Sequence, residues 1–210
     1  MKLSKRCERS NEEEGTLKEV NHVVQFATKN TDKYNEAARV AALHGIELVH
    51  LNLEKYEIQA DDLGKIATVA AEQARRQTKA SGVVAEDAGF FVDALNGFPG
   101  PYSSYVYRKL GVDGILKLIG KVDERRAYFA SAVAYCSERQ TICFEGVVKG
   151  NVCFTPRGRH GFGFDPIFIP DRGDGRTFAE MDIDEKNRYS HRALAFSKFC
   201  EWTKSRSLHK

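Results

Sequence analysis

Two hydrophobic periods follow one another between residues 22 and 53, and that succession limits the chain to an α/β arrangement. Residues 22–28, HVVQFAT, form an apolar run of strand length. From Asp32 to Leu43 the spacing changes: Ala37, Ala38, Ala41 and Ala42 recur at helical intervals, with Gly45 as a stop. Residues 46–53 alternate as a second strand. Asp61 and Asp62 are N-cap residues for a helix on which Leu63, Ile66, Ala70 and Ala74 share a face. Residues 82–85 make a short strand that delivers Glu86 and Asp87 at its end.

The second half reads differently. Past a turn cluster at residues 96–101, segments 103–110 and 113–119 are helical and divided by Gly111. Residues 127–136 and 141–154 are rich in Val, Phe, Tyr and Cys, alternate, and meet in a hairpin at 137–140. Ser190 caps a last helix that spaces Ala195, Phe199 and Trp202 for burial. The expected fold class is α/β, a mixed β-sheet flanked by helices.

Composition bounds what such a fold does. A 210-residue chain with 42% hydrophobic residues has the means to build a sizeable core. Its net charge of +3 is too small a bias for a nucleic-acid partner, and no apolar run approaches the roughly 18 residues of a membrane span. The five cysteines are odd in number and lack C-x-x-C spacing, the usage of a reducing compartment with thiols as small core hydrophobes. The expectation is a cytoplasmic protein. Residues 1–21 balance five basic against five acidic side chains without a period and read as a flexible extension. One domain spans 22–203, and 204–210 form a basic tail.

Four segments carry residue types that chemistry uses. Thr28, Lys29, Asn30, Thr31, Asp32 and Lys33 lie where the first strand meets the first helix, and the free N–H groups of a helix start suit phosphate. Glu57, Glu86 and Asp87 form an acidic set, and Mg²⁺ takes one or two carboxylates plus substrate phosphates. In HGFGFDP, two glycines permit close approach to a planar ligand, Phe162 or Phe164 can stack on it, and Asp165 can accept from ring N–H groups. Lys186, His191 and Arg192, around the last helix start, are donors for phosphate or a carbonyl oxygen. Taken singly, each segment also fits a capped helix, a glycine-rich hairpin or a solvated charge.

In order along the chain, Thr28-x-Asn30-x-x-Lys33, Tyr56-Glu57-x-Gln59, Glu86-Asp87-x-Gly89, Gly97-Phe98-Pro99-Gly100, Phe162-Gly163-Phe164-Asp165-Pro166, Thr177-Phe178-Ala179-Glu180-Met181, Glu185-Lys186-Asn187 and Ser190-His191-Arg192 resemble the inosine triphosphate pyrophosphatase family (XTP/dITP diphosphatases). The resemblance implies an elongated twisted sheet in two lobes with a central nucleotide cleft. It also implies a homodimer, and Mg²⁺-dependent hydrolysis of ITP, dITP and XTP to monophosphate and pyrophosphate, with Mn²⁺ as a possible substitute. Carried over by position, residues 28–33 are the phosphate loop, with Lys33 neutralising the leaving group. Glu57 and Asp87 are metal ligands, with Asp87 also the base and Glu86 beside it in the catalytic set. Phe162, Gly163, Phe164 and Asp165 hold the base, Lys186 contacts the nucleotide, and His191 and Arg192 face the 6-oxo group. Ala88 stands where the family often has a small hydroxyl residue, and Lys29 where it commonly has Gly. Two other readings share parts of this pattern: a Maf-like pyrophosphatase of other specificity, and a nucleotide-binding protein without catalysis.

Overall fold

The computed structural model describes residues 22–53 and 58–207. The expected extension over 1–21, the Tyr56-Glu57 pair and the end of the basic tail lie outside them. The chain forms β1 (His22–Ala27), α1 (Thr31–Leu43), β2 (Ile46–Leu51), α2 (Leu63–Thr78), β3 (Gly82–Val92) and β4 (Pro99–Gly100). It continues with α3 (Ser103–Ile119), β5 (Arg126–Ser137), β6 (Thr141–Val152), β7 (Phe168–Pro170), α4 (Ile183–Asn187) and α5 (His191–Ser207). The seven strands make one mixed sheet in the order β2-β1-β3-β5-β6-β7, with β4 paired to β3. β1 is parallel to β2 and β3, whereas β3-β5, β5-β6 and β6-β7 are antiparallel.

Local chemistry sets the limits of most elements where the sequence places them. The Asn30 side chain accepts from the Lys33 N–H and starts α1, and Asp62 does the same for α2 through the Lys65 N–H. Gly111, at φ +63°, kinks α3 between the two expected helical segments. The Ser190 hydroxyl accepts from the Ala193 N–H at 3.1 Å and opens α5, where Ala195 and Phe199 are buried.

One element departs from expectation in a way that shapes the site. β3 does not stop at Ala85, because β5 pairs with it along its whole length, from Gly82 opposite Ser137 to Val92 opposite Ala127. Glu86 and Asp87 therefore stand in the middle of a strand and point to opposite faces. On the other edge of β3, β1 reaches only Val83 to Ala85 and β4 only Phe90 and Phe91. Residues 86–89 thus face a gap between two strands. On one face, Val84 and Val133 pack with Ala37, Val40, Phe196 and Phe199 of α1 and α5. On the other, Ala85, Ala132 and Ala134 pack under Leu63, Ala67 and Ala71 of α2. Farther along the sheet Phe90, Phe129, Phe164, Phe168 and Phe178 build a second aromatic core beside Ile115 and Ile119 of α3.

β7, the five-residue α4 and short 3-10 turns at Asp165–Ile167 and Phe178–Glu180 are structure that hydrophobic period alone does not reveal. Cys136 and Cys200 are core thiols as expected, but Cys143 is exposed. It lies on the α2 side of β6, and α2 sits chiefly over β3 and β5, leaving much of that side of β6 open. Gly146, on the opposite side of β6, is where α5 lands. A Cβ there would stand 2.1 Å from the His191 carbonyl oxygen and 2.7 Å from the Ala195 nitrogen, so only glycine lets the first turn of α5 rest on the sheet.

Candidate active site

That landing brings Arg192 over β3, where it joins a chain of buried charges. Lys33 Nζ lies 2.9 Å from Glu86 Oε2. Glu86 Oε1 accepts from Ser131 Oγ at 2.8 Å and from Arg192 Nε at 3.1 Å. Arg192 Nη1 pairs with Glu36 Oε2, and Glu36 Oε1 lies 2.7 Å from Lys186 Nζ. Lys186 also reaches Asp165 Oδ2 at 2.6 Å, which in turn accepts the Phe162 N–H at 2.8 Å. Three carboxylates thus alternate with three cations along a path from α1 through β3 and α5 to α4 and the 3-10 turn at Asp165. Charges this deep persist only because each has partners of the opposite sign.

The electrostatics follow from that alternation. Burial opposes ionisation of Glu86, yet the Arg192 and Lys33 charges outweigh it and hold its carboxyl far below the usual range. For Glu36 burial is likewise overcome, by Lys186 and Arg192. Asp165 moves up instead: burial is the largest influence and the neighbouring Glu36 charge adds to it, against the pull of Lys186. His191 is 2% exposed, its ring stacked on Phe129 at 4.7 Å and 10°. Among the described residues its Nδ1 has no hydrogen-bond partner. Burial, with Arg192 and Lys186 nearby, pushes its pKa well below the ordinary 6.5. The folded protein then binds fewer protons at His191 than the unfolded chain, so its contribution to stability is present above about pH 6.5 and is lost as the pH falls. Thermal melts between pH 8 and pH 5 are expected to show Tm declining on the acid side, with a flatter profile in His191→Phe. Parallel profiles would remove His191 as the cause.

The structure sorts the expected residues. Thr28 is buried and its polar groups are all engaged: its N–H donates to the Leu51 carbonyl, its hydroxyl accepts from the Asn30 N–H, and its carbonyl meets the His50 ring. Lys29, Thr31 and Asp32 are exposed at the α1 start. Phe162 and Phe164 part company. Phe164 is 2% exposed and packs on Phe90 in the aromatic core. Phe162 instead lies over the Lys186 ammonium at 4.9 Å and the Arg192 guanidinium at 5.5 Å. It also lines a cavity of about 300 Å³ with Asp32, Asn35, Glu36, His160 and Lys186. Gly161 and Gly163 take φ of +69° and +62°. A Cβ at Gly161 would fall 2.2 Å from the Asp165 carboxylate, so that glycine clears the space Asp165 occupies.

Ala88 is half-buried on the Glu86 face, opposite Ser131 in register. Glu57 lies outside the described residues. Among those described, no group of three or more His, Cys, Asp or Glu side chains is placed to hold a metal. Glu86 is not open to one, since Lys33, Arg192 and Ser131 occupy its oxygens. Asp87, half-buried beside the gap where β1 ends, has the donor chemistry that Mg²⁺ shares with substrate phosphates and water.

Two participants escape the sequence reading. Glu36 sits one turn beyond Lys33 on the apolar face that includes Ala37 and Val40, and an acid on such a face was the available signal. Ser131 is a lone hydroxyl at an inward position between Phe129 and Val133.

Known proteins are similar to this chain in sequence and in fold. The family model described as the Ham1 family matches residues 24–202. A dITP/XTP pyrophosphatase of Ignicoccus hospitalis is 49% identical over 87% of this chain and 97% of its own length. Another, of Methanopyrus kandleri, is 44% identical over 87% and 96%. Among solved structures, a Ham1 protein from Coxiella burnetii superposes with a TM-score of 0.76 at 27% identity, over 88% of this chain and 99% of that one. A protein from Mycobacterium abscessus described as a nucleoside-triphosphatase and dITP/XTP pyrophosphatase gives 0.65 at 32% identity, over 84% and 98%. With nearly its whole described length matched in sequence and in fold, the chain belongs to the Ham1 family.

Proposed function

We propose that the protein hydrolyses the non-canonical purine nucleoside triphosphates dITP, XTP and ITP to the monophosphate and pyrophosphate, with Mg²⁺ and with Mn²⁺ as a substitute. The observation that carries this reading is the buried charge chain, which ties the cation of the α1 loop, Lys33, to those at the α4 and α5 end, Lys186 and Arg192. One network so arranged orders a phosphate loop and a base pocket together. The names of the archaeal relatives, dITP/XTP pyrophosphatases, support it.

In this reading the amides at the start of α1 and the Lys33 ammonium take the phosphates and offset charge on departing pyrophosphate. Asp87, with Glu57, would hold the metal, which supplies charge neutralisation and a more acidic water. Asp87 orients and deprotonates the water that attacks the α-phosphorus. Glu86, ionised and saturated with donors, sets Lys33 and Arg192 in place. Phe162 stacks on the purine, Lys186 contacts the nucleotide, and His191 and Arg192 present donors to a 6-oxo group. Adenine offers an amino donor there, which would leave buried donors unpaired, and such mismatches lower kcat/KM by up to about 10⁴.

The test is incubation with dITP, XTP, ITP, ATP and GTP plus Mg²⁺, with identification of products. Pyrophosphate from the first three is expected; orthophosphate, or ATP turned over as well as dITP, would sink the proposal. The protein acts as a homodimer in this reading, and light scattering should return about twice the chain's 23.6 kDa.

A further inference from the structure

We propose that His50 is a positioning residue of the phosphate loop: through the Thr28 carbonyl it sets how tightly the loop holds a phosphate chain. The inference rests on reading residues 28–33 as that loop. His50 Nε2 lies 2.8 Å from the Thr28 carbonyl oxygen, and because a carbonyl only accepts, this nitrogen carries the proton and donates. Tyr34 fixes the ring and is itself anchored. Tyr34, next to Lys33 on α1, stacks on it at 4.4 Å and 11°, and the Tyr34 hydroxyl donates to the Leu48 carbonyl at 2.9 Å. The clamp thus joins β2, the second turn of α1 and the residue that enters the loop.

Its effect on the loop follows from peptide geometry. A trans peptide is planar with its C=O and N–H on opposite sides. Holding the Thr28 carbonyl toward His50 therefore aims the Lys29 N–H the other way. The Thr28 N–H is tied to the Leu51 carbonyl at 3.1 Å, and its hydroxyl takes the Asn30 N–H at 3.1 Å. Thr28 cannot swivel without breaking one of these bonds. With the His50 donor removed, the Thr28 N–H and hydroxyl bonds remain but its carbonyl is no longer held, so the 28–29 peptide is less restrained and a phosphate chain must complete its ordering on binding. His50 belongs to no charge pair of the buried network and touches no reacting atom, so its effect falls on phosphate affinity and not on the chemical step.

The experiment compares wild type, His50→Phe and His50→Gln. Phenylalanine keeps a ring on Tyr34 but has no donor; glutamine carries an amide N–H to about the position of Nε2. Calorimetry gives Kd for inorganic pyrophosphate, and dITP kinetics give KM and kcat. Losing one net hydrogen bond predicts about a 3–10-fold weaker pyrophosphate Kd and a parallel rise in KM for His50→Phe, with kcat within about 2-fold. His50→Gln should recover most of the loss. An unchanged pyrophosphate Kd in His50→Phe, a loss confined to kcat, or no recovery with glutamine overturns the proposal. If wild type binds pyrophosphate but hydrolyses no nucleotide, the pyrophosphatase reading fails while the Kd comparison still decides the role of His50. If wild type binds no pyrophosphate, the loop reading falls and this inference falls with it.

Discussion

Replacing Arg192 with methionine is expected to lower the unfolding free energy by about 3–5 kcal/mol, the loss typical of removing one partner from a buried ion pair. Arg192 is 1% exposed and bridges Glu86 and Glu36, so methionine fills much of its volume but leaves three buried carboxylates against two cations. For a chain of this length that loss lowers Tm by on the order of 10 °C. The cost comes from orphaned carboxylates and not from a large net gain in the pair itself, since burying charge is expensive to begin with. Two further results follow from that cause. Adding Glu36→Gln to the methionine variant should restore part of the stability. The deficit should also shrink in acid, where the unpaired carboxyls take up protons. A denaturant titration showing wild-type stability for the single variant would mean that the charges are solvated and the chain of ion pairs is not a unit. The same geometry changes what an Arg192 variant reports about the base: the rate for each nucleotide needs correction for the fraction folded, whereas the preference for 6-oxo purines, a ratio, does not.

Asp87→Asn should reduce turnover of dITP by about 10²–10⁴-fold, the range that a positioned general base supplies, while nucleotide affinity in the absence of metal stays within a few-fold of wild type. The separation of effects comes from strand alternation. Asp87 shares the α2 face of β3 with Ala85, whereas Glu86 and the cations around Phe162 lie on the other. Asparagine keeps the shape of the side chain and loses its charge, so on the proposed reading a metal ligand and proton acceptor disappear while the base pocket is untouched. Calorimetric affinity and single-turnover rates measured side by side check this. Activity retained in the variant would remove Asp87 from the chemistry, and an affinity collapse without metal would place it in the binding pocket instead.

The opposed directions of Glu86 and Asp87 show where a sequence stops being readable. Adjacent acids after an apolar run look like a strand end, and only the pairing of β5 along all of β3 carries the strand past them to Val92. The start of α1 was legible because its signals are local: a strand-length apolar run before it and helical alanine spacing behind, with Asn30 found at the N-cap. Phe162 and Phe164 are alike in sequence, yet one lines the cavity and the other packs on Phe90, a division that depends on where β3 and α3 lie in space. Glu36 was legible in principle, as an acid on a helix face otherwise apolar; its partners on α4 and α5 were not.

By itself, then, the succession of hydrophobic periods determined an α/β chain with a mixed sheet and the places of its long helices, and local residue types offered the charges of the buried network with the exception of Glu36. These depend on backbone geometry and capping over a few residues. Which of those charges meet was decided by the tertiary structure alone. Glu36 and Lys186 are 150 positions apart, and Arg192 and Glu86 are 106. They come together because Gly146 has no side chain to hold α5 off the sheet, and because burial leaves each charge no other means of being satisfied.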